Sequence, residues 1–138
     1  MIELVWDQQR AGTATSASGR CVAVGEGAEF SPEELLATSA AACLMRTSVG
    51  LAASSGVDLL SFTATAWLNT GDTAPAPRIE VRARMVISDE VPEARMLDLW
   101  NRALRESPVA RLLGAGLCAE IEVTRLSASA PQTNKKKR

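Results

Sequence analysis

The chain has 138 residues, the length of one domain, and its 46% apolar share is enough for a core. It contains no histidine, which excludes histidine catalysis, the usual zinc sites and histidine-ligated haem. The net charge of −1 is uneven: without Lys135, Lys136, Lys137 and Arg138, the 15 basic residues fall to 11 against 16 acidic ones, and a body near −5 suits no nucleic acid.

Ile2 to Trp6 is a short apolar run that reads as a first strand, followed by a turn over 7–12. Thr13 to Ser18 alternates small side chains and predicts a second strand. Gly19 breaks it, and Arg20 to Val24 reads as its hairpin partner. Gly25 to Phe30 is a loop into the stretch that organises the chain, Ser31 to Gly56. Ser31 suits an N-cap, Pro32 suits the first helical position, and Glu34 completes the spacing of a capping box. Gly56 suits the helix stop. The result is a rod of roughly 35 Å with Ala40, Ala41, Ala42, Cys43, Leu44 and Met45 at its middle. A helix apolar on nearly every side predicts burial on nearly every side. Thr38, Ser39, Arg46, Thr47 and Ser48 break it too often for a membrane span.

Ser61 to Leu68 and Ile79 to Ile87 form a predicted hairpin around a loop at 69–77. Ile79, Val81, Ala83, Met85 and Ile87 take one face of its second strand, and Glu80, Arg82 and Arg84 take the other. Val91-Pro92 opens a second helix with Met96, Leu97, Trp100, Ala103 and Leu104 at helical spacing. Ser107-Pro108 interrupts it, because a residue before proline is pushed out of the helical region. Val109 to Leu113 adds a turn or two, and Leu117 to Leu126 closes the chain as a strand. Residues 1–126 therefore read as one α+β domain with antiparallel sheet and segregated helices, and residues 127–138 as a disordered basic tail.

Three widely spaced cysteines, Cys21, Cys43 and Cys118, make neither a disulfide framework nor a metal site. The opening residues show no basic stretch leading into an apolar run, so the expectation is a reduced, cytoplasmic protein with no membrane partner. Cys43 is the leading candidate for chemistry. A thiol reacts as its thiolate, so it needs a cation and a path to solvent. Arg46 lies one turn further along the helix, and Arg20 and Arg10 lie on the early strands. The competing reading is packing, since cysteine sits comfortably inside alanine-rich helices. Cys21 and Cys118 read as packing residues of their strands. Acidic Glu33 and Glu34 have a ready explanation in the helix dipole.

Pro32-Glu33-Glu34-Leu35-Leu36-Ala37, followed by Ala40-Ala41-Ala42-Cys43, resembles the central helix of the OsmC/Ohr family, the osmotically inducible and organic hydroperoxide resistance proteins. Glu33 and Cys43 keep that family's ten-residue spacing, and the order of elements from Trp6 to Leu126 is also similar. The resemblance implies an intertwined homodimer whose long helices pack between two sheets, with sites at the interface. It implies a thiol peroxidase without a cofactor or metal, acting on a small-molecule hydroperoxide and using a thiol reductant. Cys43 would be the attacking thiol. Glu33 would orient an arginine that holds the thiolate, Arg20 first and Arg10 second. The family's second cysteine, in Cys-Pro-Val-Ser, is replaced here by Ser107-Pro108-Val109-Ala110. Serine cannot resolve a sulfenic acid, so the intramolecular disulfide is not expected. A one-cysteine peroxidase and a non-enzymatic stress protein that binds an apolar ligand both remain open.

Overall fold

A computed structural model describes residues 2–5, 11–25, 27–71, 76–88 and 90–127. Strands β1 (Ile2–Val5), β2 (Ala11–Ser16) and β3 (Cys21–Gly25) form an antiparallel meander. Gly19, with φ at +78°, makes the β2–β3 turn that places Thr15 opposite Cys21. Helix α1 (Pro32–Ser54) follows, then the hairpin β4 (Leu59–Asn69) and β5 (Arg78–Ser88). Helices α2 (Glu93–Glu106) and α3 (Pro108–Leu113) lead through a 3-10 turn at Gly114–Gly116 to β6 (Leu117–Leu126). The basic tail, apart from Ser127, lies outside the described residues, as do Arg10 and Trp6.

The α1 start forms as its sequence predicts. Glu34 N–H donates to Ser31 Oγ at 3.1 Å, and Ser31 N–H donates to Glu34 Oε2 at 2.8 Å. Gly56, with φ at +65°, turns the chain after the Ser55 cap. Burial departs from expectation. Ala37, Ala40, Leu44, Ser48, Leu51 and Ala52 form a buried stripe, but Leu36 and Met45, which flank it on its two edges, and Val49 beyond Met45 are 42–48% exposed. Among the described residues, one sheet and two helices pack on the long helix, and they cover one side of it.

That sheet runs β4-β5-β6. Its inner face, with Phe62, Ile79, Val81, Met85, Ile121 and Val123 among its side chains, packs with α1, α2 and α3 into the core. The expectation of wholly antiparallel sheet is corrected here: β6 lies parallel to β5, with Val81 opposite Ala119 and Met85 opposite Val123. The intervening α2–α3 segment carries the chain back to the end from which β5 began, as a parallel neighbour requires. The meander β1-β2-β3 contributes no residue to the core, and Ile2, Leu4 and Val5 are 54–67% exposed.

Candidate functional site

Cys43 lies at the middle of α1 and is half-buried, on the boundary between the packed and the uncovered sides of the helix. Its carbonyl accepts a hydrogen bond from Thr47 Oγ1 at 2.9 Å. Ala42 and Arg46 beside it are exposed, whereas Leu44 is fully buried. Cys43 is thus partly exposed within one chain, and solvent access is one of the two conditions its reactivity requires.

Glu33 and Glu34 divide their tasks. Glu34 is held by the capping box. Glu33 is exposed, with no ion pair or hydrogen bond to its carboxylate among the described residues. Both line a cleft of about 400 Å³ closed by Ala66, Trp67, Leu68 and Thr70 at the end of β4. Ten helical residues separate Glu33 from Cys43, roughly 15 Å along the axis, too far for direct contact. Arg20 sits exposed at the β2–β3 turn, its backbone N–H donating to Ser16 Oγ at 3.1 Å. Among the described residues, no ion pair or hydrogen bond joins Arg20 to Glu33 or Cys43.

Ser107 is fully buried where α2 meets α3. Its backbone is extended (φ −64°, ψ 120°), as a residue before proline should be. Its N–H donates to Ala103 O at 2.8 Å, and its Oγ accepts from Ala110 N–H at 3.4 Å, capping α3. The residue in the second-cysteine position therefore has a structural task of its own.

The other thiols are placed apart from Cys43. Cys118 alternates with the inward Leu117 and Ala119, so it belongs to the outer face of its sheet, in register with Glu80. The Asn69 amide donates to Glu80 Oε1 at 2.6 Å and holds that carboxyl below the usual range, aided by Arg78 and Arg82 against partial desolvation. A carboxylate thus neighbours Cys118 while the sheet separates it from α1. Cys21 is corrected from a packing residue to an exposed one, with Thr15 Oγ1 3.4 Å from its sulfur.

The outer face also carries a charge ladder. Arg84 meets Glu122 at 3.1 Å, Arg82 approaches Glu120 at 4.0 Å, and Arg82 lies 5.1 Å over the Trp67 ring. The cleft of about 510 Å³ that it lines is filled with charges already paired. The alternation of Arg82 and Arg84 against Glu120 and Glu122 in sequence signals this ladder once the parallel register is known.

Solved structures share this architecture. An OsmC-like protein from Vibrio cholerae is 17% identical, over 88% of this chain and 97% of that one, with a TM-score of 0.75. The OhrB organic hydroperoxide resistance protein of Bacillus subtilis is 19% identical, over 90% and 98%, with a TM-score of 0.64. A putative osmotic stress induced and detoxification response protein from Psychrobacter arcticus is 22% identical, over 89% and 94%, with a TM-score of 0.69. At these identities they establish the fold. No curated protein matches the chain by sequence. The family model described as OsmC-like protein matches residues 25–122, from the end of β3 through most of β6, and the chain belongs to that family.

Proposed function

We propose that this protein is a thiol-dependent hydroperoxide-reducing stress protein that works as a homodimer, with Cys43 as the attacking thiol. The observation that carries the reading is the placement of Cys43: half-buried mid-helix, beside an uncovered surface, in an OsmC-like chain.

The uncovered apolar side chains support the dimer reading. Leu36, Met45 and Val49 on α1 and Ile2, Leu4 and Val5 on β1 each stand about half exposed or more. Burying such a remainder contributes about 1 kcal/mol per side chain. Twelve of them across two chains give on the order of 10 kcal/mol, comparable with the cost of association. Both α1 and the first sheet supply such side chains. A second copy also offers the route by which Arg20 and Glu33 reach Cys43.

In the reaction, the Cys43 thiol gives its proton to solvent, and the thiolate attacks the terminal oxygen of the hydroperoxide. The S–O bond forms as the O–O bond breaks. The alkoxide leaves and takes a proton to become an alcohol, and Cys43 becomes a sulfenic acid by two-electron oxidation. With Ser107 unable to form a disulfide and Cys118 across the sheet, a small external thiol attacks the sulfenic sulfur and releases water. A second equivalent of that thiol frees Cys43 and leaves as a small disulfide.

Ser107 also favours a second reading, an OsmC-like protein that binds an apolar ligand without turnover. Hydroperoxide consumption with a small thiol as reductant separates the two. The peroxidase reading expects turnover by the wild type and by Cys118→Ser, and none by Cys43→Ser. Equal consumption by Cys43→Ser, or none by the wild type with any small thiol, favours the binder.

A further inference from the structure

We infer that Arg46 is a positioning residue for Cys43, holding its thiolate from the same helix; the inference rests on Cys43 being the attacking thiol. From Leu35 to Ser54, α1 carries one charged side chain, and it is Arg46. Three residues after Cys43, it shares that residue's side of the helix, with Cβ atoms about 5–6 Å apart. Arg78, Arg82, Arg84 and Arg102 each have a carboxylate. Among the described residues, Arg46 has neither an ion pair nor a side-chain hydrogen bond.

Its helical neighbours Ala42, Val49 and Gly50 are exposed and uncharged. The carboxylates of α1, Glu33 and Glu34, lie twelve or more residues back, about 18 Å along the axis. On α1 itself, the anion-forming group within one turn of Arg46 is the Cys43 thiol. In the isolated chain, water screens this pair. When the apolar side of α1 closes against a second copy, the guanidinium loses water, and an unpaired charge there would cost several kcal/mol. A thiolate beside it offsets part of that cost, and the lower local dielectric strengthens the attraction. Arg20 lies at the turn of a separate sheet, whereas Arg46 shares the helix of Cys43. Arg46 acts before the chemical step, favouring the deprotonated sulfur, and is not required to touch the peroxide.

The test is the rate at which iodoacetamide alkylates Cys43 in the full-length protein, read by peptide mass spectrometry across a range of pH. Arg46→Gln keeps a good helix former at an exposed position, so the fold is retained. The expected result is a roughly tenfold slower reaction at neutral pH that converges with the wild type at high pH, with most of the rate restored in Arg46→Lys. An unchanged profile in Arg46→Gln, an equal slowing at every pH, or no recovery in Arg46→Lys would overturn the inference. Sulfenic-acid trapping on the same samples keeps the two claims separate. A wild type that forms no sulfenic acid but shows the Arg46 effect sinks the peroxidase reading alone. A wild type that forms it with no Arg46 effect sinks this inference alone.

Discussion

The two three-stranded sheets make opposite use of their apolar residues. In β4-β5-β6, Ile79, Val81, Met85 and Ile87 lie on one face at 0–2% exposure, and charged pairs hold the other. In β1-β2-β3, Ile2, Leu4 and Val5 are consecutive or nearly so and all exposed, and no residue joins the core. The second sheet is completed by its own chain and the first is not. The long helix shows the same division across its width, with Leu44 sealed and Met45 open. The difference teaches that neighbouring apolar residues can stand in opposite settings, one completing the core of its own chain and the next left on the surface where the proposed dimer would use it.

Substitutions at the two kinds of site break this comparison in different ways. The largest effect is expected from Met45→Glu. A carboxylate in an apolar interface costs several kcal/mol, so dimer affinity should fall by a hundredfold or more in sedimentation while the far-ultraviolet dichroism stays unchanged. Unfolding of the whole chain would instead make the open side of α1 part of the core. Next, Met85→Ala should cost about 2–5 kcal/mol in denaturant at any protein concentration, since the side chain is fully buried. Leu4→Ala should act on stability only through assembly, with a loss that vanishes on dilution below the dimer dissociation constant. An equal loss at all dilutions would contradict the division between the sheets.

Ser31→Ala should cost about 1 kcal/mol, because it removes a cap formed wholly within one chain. The smallest effect is the acid dependence from Glu80. Its folded carboxyl titrates below the ordinary value of 4.5, so it stabilises the fold above that pH and the contribution is lost as pH falls through the depressed value. Glu80→Gln should flatten this part of the acid-unfolding profile and leave neutral-pH assembly unchanged. A profile with the wild-type slope would remove Glu80 from the account.

The local features were legible because local chemistry sets them. Ser31, Pro32, Glu34 and Gly56 bound α1, and strict alternation from Ile79 to Ile87 gave the buried face of β5. The parallel direction of β6 was not legible. Leu117 to Leu126 alternates in the same way for either direction, and the α2–α3 crossover decides it. The open side of α1 was hidden for a related reason: an apolar residue looks the same in sequence whether its own chain covers it or leaves it exposed. At the site, the spacing of Glu33 and Cys43 pointed to the family. The exposed position of Arg20 at the β2–β3 turn, the capping task of Ser107 and the outer-face position of Cys118 needed coordinates.

The most direct test of the central claim is peptide mass spectrometry of the reduced protein after one equivalent of an organic hydroperoxide, with a dimedone-type trap present. The account predicts a sulfenic-acid adduct on Cys43, none on Cys21 or Cys118, and no Cys43–Cys118 disulfide within a chain. An unmodified Cys43, or oxidation that falls first on either of the other thiols, would contradict it.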